Sequence, residues 1–336
     1  MNRWLVRGVI LLMTAAGAVP ALAQDDASVD EAREALAKQE GDEGSAEQLE
    51  EVFQSAEKNY SLQKEGSHAL TYSFDYSYTG DQRLDLEIVD SSVRNLDVVP
   101  SATHNFTNSF SYDYGLLNNV TVGTRIPLVV KFDTQDELEI YDVGDIAFTA
   151  RWQPFAYVPG EMSTTLFGSL TSKTGVSPYE IDVNRQLSTG SGYYSLSGGA
   201  SLSKVLDPVV VYGSVSTSYK LPEKDLQQVR GARLLNEVDP GFTLSGSGGF
   251  SYSLSYDISL SASVQISYTD ETILKFSDGS EAVAQDQMSG FLSFSLGTRV
   301  TDTTIVNTSL GIGLTEDTPD FSLGLSLPIN FSGLKE

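Results

Sequence analysis

Residues 321–331 read Phe-Ser-Leu-Gly-Leu-Ser-Leu-Pro-Ile-Asn-Phe. Every odd position (Phe321, Leu323, Leu325, Leu327, Ile329, Phe331) is apolar, and Ser322, Gly324, Ser326, Pro328 and Asn330 between them are small or polar. A strand sends successive side chains to opposite faces, so this run has one greasy face and one wet face. A soluble sheet shows the same alternation with its greasy face turned inward. Two features point instead to a bilayer. The run has about the 9–11 residues that a tilted strand needs to cross one. Its wet face also lacks the Lys and Glu that solubilise the outer face of a sheet.

The same rhythm extends back through the chain. Period-two runs cover about 68–80, 104–115, 120–132, 144–153, 163–172, 192–204, 209–220, 242–254, 258–268, 288–297 and 304–314, so that 321–331 is the twelfth. In the ninth, Ile258, Leu260, Ala262, Val264, Ile266 and Tyr268 alternate without exception against Ser and Gln. The connections alternate between short turns, such as Asn118-Asn119, and longer loops, of which 81–103 is the first. An even strand number with its loops sorted by side is the pattern of an outer-membrane barrel, and a soluble sandwich has no reason to sort them. Aromatics fall where strands end: Tyr78, Phe132, Tyr219, Phe242 and Tyr268 on the loop side, Tyr112, Tyr114, Trp152, Tyr252 and Phe331 on the turn side. Two interfacial girdles follow. The expected fold is all-β, a single 12-stranded antiparallel transmembrane β-barrel with a short N-terminal helical periplasmic segment.

The domain boundaries follow from composition. Residues 1–23 carry Arg3 and Arg7, an apolar core around Val9 to Met13 and a small-residue site at Ala21-Leu22-Ala23, which reads as a secretory signal peptide with Gln24 as the mature start. Its removal takes the formal charge from −24 to −26, because Arg3 and Arg7 are its only charges. Residues 24–66 are an acidic periplasmic tether, in which Leu49, Val52, Phe53, Ala56 and Tyr60 have the spacing of a short amphipathic helix. That helix reads either as a transient element of a solvated tether, or as one that associates with copies of itself or plugs the barrel mouth. Residues 67–331 form the barrel and 332–336 a C-terminal tail. Both chain ends are expected in the periplasm. No window after the signal approaches the roughly 18 apolar residues of a spanning helix. Cys is absent, which excludes disulfides, thiolate metal sites and a lipid-anchored N-terminus.

The chain is poor in catalytic groups. Its two histidines, His68 and His104, cannot make a His-Glu-x-x-His zinc motif, and no Gly-x-Ser-x-Gly elbow is present. His104, with Asn105 and Asp97, is the one candidate for a rim hydrolase, and its plainer reading is an interfacial histidine at a strand end. No enzyme activity, cofactor, metal or nucleic-acid partner is expected. The acidic loops, with Asp133, Asp136, Glu137, Glu139 and Asp142 in the second and Asp270, Glu271, Asp278, Glu281 and Asp286 in the fifth, read as solvated and lack calcium-site spacing. By parity Asp75, Asp113, Arg125, Lys131, Asp145, Arg151 and Arg299 point inward and are the candidate lumen-lining residues. Twelve strands lie between the eight that side chains fill and the sixteen that leave an open channel, so a narrow polar conduit is expected. Pro127 and Pro328 each remove a ladder donor, and local bulges are expected there.

Two resemblances can be placed on these residues. Ser322, Gly324, Leu327, Ile329 and Phe331 resemble the C-terminal sorting signal of bacterial outer-membrane barrels, where the aromatic is usually the final residue; here Ser332 to Glu336 follow it. Asn119-Val120-Thr121-Val122-Gly123-Thr124-Arg125-Ile126-Pro127-Leu128-Val129, Val143-Gly144-Asp145-Ile146, Thr174-Gly175 and Thr189-Gly190-Ser191-Gly192 resemble the outer-membrane channel family named for the phenol-degradation meta pathway. Its relatives include the functional-amyloid secretion channel, with twelve strands behind an N-terminal helical segment. The resemblance implies transport of hydrophobic or aromatic solutes, or export of an extended polypeptide, and fixes no catalytic residue. The expected function is an outer-membrane channel passing such cargo. The alternative is a structural or surface-interaction barrel with acidic extracellular loops and a closed lumen. Expected partners are outer-membrane lipid, the barrel-assembly machinery and the cargo, with homo-oligomerisation through the N-terminal helix as a further reading.

Overall fold

The computed structural model describes residues 62–329, apart from 90–91, 135–136, 159, 183–184, 232, 256 and 302–303. The signal peptide, the tether helix and the terminal Phe331 lie outside the described residues. Twelve strands close into a ring: β1 (His68–Val89), β2 (Ser92–Leu117), β3 (Val120–Asp133), β5 (Ala147–Trp152), β6 (Met162–Thr171), β7 (Ser195–Leu206), β8 (Val209–Lys220), β11 (Thr243–Ser253), β12 (Ile258–Thr269), β15 (Gln287–Thr301), β16 (Thr304–Gly313) and β17 (Phe321–Ile329). Every neighbour is antiparallel, and β17 returns to pair with β1 from Leu70↔Ile329 to Tyr78↔Phe321. Among the described residues no helix is long and apolar enough to cross a membrane. In hydrocarbon every backbone donor and acceptor must pair internally, and closure removes the edges that would violate this.

The ring is inverted relative to a soluble core. Phe110, Ile126, Phe148, Leu196, Leu260, Val264 and Leu323 are exposed on its outside, while Ser109, Thr121, Ser251 and Ser259 are buried on its inside. One outward polar pair is joined: the Tyr72 hydroxyl donates to Asn108 Oδ1 at 2.7 Å. The expected girdle residues Trp152, Tyr219, Phe242, Tyr252 and Tyr268 stand exposed near strand ends. His104 sits in this aromatic band, with Nδ1 2.9 Å from the Tyr76 hydroxyl.

Three sequence expectations need correction. The first long loop, 81–103, is instead the continuation of β1 and β2, paired through Asp85↔Asp97 and Leu86↔Leu96 up to Val89↔Ser92. The fourth strand is interrupted: β4 (Leu138–Val143) pairs with the outer part of β3, β5 with the inner part, and 144–146 intervene.

The prolines do not bulge their own strands, since Ser109↔Pro127 and Thr71↔Pro328 stay in register. Opposite Pro127 it is the partner that bulges, because β3 spends two residues (126–127) between the two ladders where the partner spends three (144–146). The Pro127 carbonyl accepts Gly144 N at 2.8 Å, so the missing Pro127 N–H faces the same side, onto this bulge. The β16–β17 ladder stops at Asn307↔Ser326, before Pro328 would have to donate.

At the turn end the chain approaches β1 along the inner wall. Gln63 N donates to Thr121 Oγ1 at 2.7 Å, Gly66 N to the Gly115 carbonyl at 2.8 Å, and Gly115 N to the Ser67 carbonyl at 3.0 Å. Gly115 is required there, because a Cβ would run into the Lys64 carbonyl.

The two faces of β12 make the inversion testable. Val264→Arg, on the lipid face, is expected to lower the free energy of folding into bilayers by about 2–4 kcal/mol near the midplane. Gln265→Arg, one residue on and facing the bore, is expected to cost much less; urea titration of liposome-refolded protein compares them.

Candidate functional site

All twelve ring strands contribute to one internal cavity of about 770 Å³. Strand alternation selects its lining: fifteen of the twenty-six lining residues are Ser or Thr, and Phe167 and Leu325 are the only large apolar ones. Neighbouring hydroxyls bridge the strands, Ser214 to Ser247 at 2.7 Å and Ser169 to Ser197 at 2.6 Å. Four charged side chains reach the cavity: Asp75, Asp113, Arg125 and Arg151. Arg151 on β5 crosses β3 to pair with Asp113 on β2, and both are largely buried, with side-chain exposures of 7% and 22%. The path runs over Gly123, where a Cβ would collide with Asp113 Oδ1 and stand 2.9 Å from Thr149 Oγ1. Removing one partner of such a buried pair costs roughly 3–5 kcal/mol, so the pair braces three strands at one level of the bore. Arg125 donates to Ser109 Oγ from Nε at 3.1 Å and from Nη2 at 2.9 Å.

The loop end is built around the 144–146 bulge. Gly144 N keeps its bond to β3, but the Gly144 carbonyl and Ile146 N do not pair with it, and the segment 172–194 supplies their partners. Thr189 Oγ1 donates to the Val143 carbonyl at 2.9 Å. Thr174 Oγ1 donates to the Gly144 carbonyl at 2.9 Å and accepts Ile146 N at 2.9 Å. Asp145 returns the favour: Oδ1 accepts Gly175 N at 3.0 Å, and Oδ2 accepts both Ser191 N and Ser191 Oγ at 2.6 Å. Gly175 and Gly190 touch so closely that a Cβ on Gly175 would lie 2.7 Å from Gly190 Cα. Lys131 Nζ donates to the Ser188 carbonyl at 2.5 Å, fixing the segment against the inner wall. Burial pushes the Tyr193 hydroxyl up to about 12, with Tyr179 and Asp145 adding to the shift.

Above this node the longer loops join into a cap. A four-stranded sheet, β14 (Glu281–Ala284), β13 (Thr272–Phe276), β10 (Arg233–Asp239) and β9 (Gln228–Arg230), is assembled from the β8–β11 and β12–β15 connections. Leu226, Leu235 and Val238 are buried beneath it, with Leu274, Phe276 and Tyr179 packed against them. Tyr179 belongs to the 172–194 segment, so three connections share one small apolar core. Gln228 Nε2 donates to the Pro178 and Ile181 carbonyls at 2.8 and 2.5 Å, and Lys173 pairs with Glu223. Lys275 donates to Glu237 at 2.7 Å and holds that carboxyl below the usual range.

These loops are therefore packed rather than simply solvated, and among the described residues none of their carboxylates gathers into a metal-binding cluster. The signal for the cap was the scatter of large apolar residues, Leu226, Leu235, Val238, Leu274 and Phe276, through otherwise polar loops.

The seven sequence-derived residues thus separate. Asp75, Asp113, Arg125 and Arg151 come together at the cavity; Lys131 and Asp145 instead hold the 172–194 segment at the loop end; Arg299 stands near the β15–β16 turn, its backbone N donating to the Asp257 carbonyl at 2.8 Å. Parity gives the side of the wall but not the height along it, which is why all seven looked alike in the sequence.

No family model matches the chain. In fold it is similar to an outer-membrane channel of Pseudomonas putida F1, at 15% identity over 80% of this chain and 97% of that one, with a TM-score of 0.61. More distant likenesses are the translocator domain of the autotransporter NalP from Neisseria meningitidis (12% identity, 84% and 95% covered, TM-score 0.48) and the Pseudomonas putida toluene transporter TodX (8%, 78% and 88%, 0.37). The first likeness carries the resemblance read from the sequence to the level of the fold.

Asp145→Ala removes the acceptor of three hydrogen bonds, a local loss of about 2–4 kcal/mol. Amide exchange at Gly175 and Ser191 is expected to quicken at least roughly tenfold, with exchange in β11 and β12 unchanged.

Proposed function

We propose that the chain is a passive channel of the bacterial outer membrane, with the cap outside, both chain ends in the periplasm, and small solutes passing through the bore. The observation that supports this best is the hydrophilic cavity that touches every strand of a ring whose exterior is apolar. A barrel serving only as a scaffold has no need of a wet interior, and the alternation could have filled it with apolar side chains. Outer-membrane lipid and the assembly machinery are its standing partners. No catalytic role is assigned: His104 is engaged with Tyr76 in the aromatic band.

One observation favours the second reading, a surface-interaction barrel with a closed lumen. The 172–194 segment is hydrogen-bonded against the inner wall, and its cap carries exposed apolar side chains such as Val229 and Val283. Passage of an extended polypeptide would have to displace that segment, so a small solute is the better cargo.

Planar-bilayer recording of the purified full chain separates the two: discrete currents in KCl are expected, and silence, even after deletion of 25–66, overturns the channel. Orientation is testable because the natural chain has no thiols. Ser277→Cys in the cap should react with a membrane-impermeant maleimide on intact cells, and Asp257→Cys at the turn end only after permeabilisation.

A further inference from the structure

We infer that the bore selects neutral polyhydroxylated molecules of the size of pentitols and monosaccharides over aromatic solutes and organic ions of similar size. This rests on the channel reading above and goes further by naming a solute class from the chemistry of the wall.

Hydroxyls dominate that wall, and each Ser or Thr hydroxyl offers one donor and two acceptor sites. Where two hydroxyls already bridge, as Ser169 and Ser197 do at 2.6 Å, the bridge takes up one acceptor site of the two that each oxygen offers. A polyol carries the same donor-acceptor group on every carbon. It can exchange its water hydrogen bonds for wall hydrogen bonds nearly one for one, which keeps the cost of leaving bulk water low. The volume of about 770 Å³ lies within the roughly 300–1,000 Å³ range of small-molecule sites.

Other solutes fit less well. An aromatic solute finds Phe167 and Leu325 as the only large apolar lining residues, and burying unpaired wall hydroxyls against its ring is unfavourable. For an organic ion the formal charges of the lining cancel: two carboxylates and two guanidinium groups, with Arg151 paired to Asp113 and Arg125 bonded to Ser109. Pore selectivity follows the donors, acceptors and charges of the lining, and here those favour uncharged hydroxylated molecules.

Proteoliposomes of the full chain test this by osmotic swelling in isosmotic arabinose, xylitol, sodium gluconate and sodium benzoate, with KCl conductance measured in parallel. Arabinose and xylitol are expected to enter about tenfold faster than gluconate or benzoate. The variant Ser169→Val/Ser197→Val, checked for folding by heat-modifiable mobility, should lose most of the polyol preference while KCl conductance persists. KCl current with benzoate or gluconate entering as fast as arabinose overturns the solute class and leaves the channel standing. Absence of both current and swelling overturns the channel, and the solute class with it.

Discussion

The obligation to pair every backbone N–H and C=O inside hydrocarbon governs this molecule. It forces the strands into a closed ring, and it turns a single proline into a structural problem with distant effects. Pro127 cannot donate, so its neighbouring strand breaks step at 144–146. That break strands several backbone groups, and Thr174 and Thr189 from a connection far along the chain answer them. The short sequence motifs scattered over three segments are therefore one feature in space. Gly144 and Asp145 form the defect, Thr174-Gly175 and Thr189-Gly190-Ser191 repair it, and the glycines are small because the two repairing strips touch.

Electrostatics follows from the same inversion. Lipid claims the apolar half of each strand, so most of what holds the inside together is polar. Cross-strand serine pairs replace the aliphatic contacts of a soluble core, and the Arg151–Asp113 pair spans three strands where no hydrophobic contact is available to do so. Such pairs are costly to desolvate in a dry interior, but a hydrated bore lowers that cost. Ordinary burial returns in the cap, where Leu235 and Val238 are fully buried, and in a small cluster of Val210 and Tyr212 on β8.

Much of this was legible in the sequence because period two is a one-dimensional code for the two sides of a wall. Strand boundaries for 209–220 and 258–268, and the outward set Leu260 and Val264, follow from alternation alone. Parity is blind along the barrel axis, so Asp145 and Lys131 could not be told from Asp113 and Arg151. The extension of β1 and β2 was hidden because the polar residues that mark a loop are also those of a ladder standing in water. The cap core was hidden for a different reason. Its apolar residues come from three connections, and no single window contains enough of them to show a period.

The joints of the ring are not equally long. The ladders β5–β6 and β16–β17 run over six residue pairs each, and each joint is also spanned by a turn of the chain. The seam between β1 and β17, where the chain's own ends meet with no peptide link across, runs over nine. A covalent turn keeps two partners at high local concentration whatever their ladder does, whereas strands from opposite ends of the sequence have only their hydrogen bonds to hold them. Nine pairs exceed the six of the three shortest ladders but fall short of the ten or more of the other eight, so backbone hydrogen bonds alone close the cylinder at the one place where it could come undone.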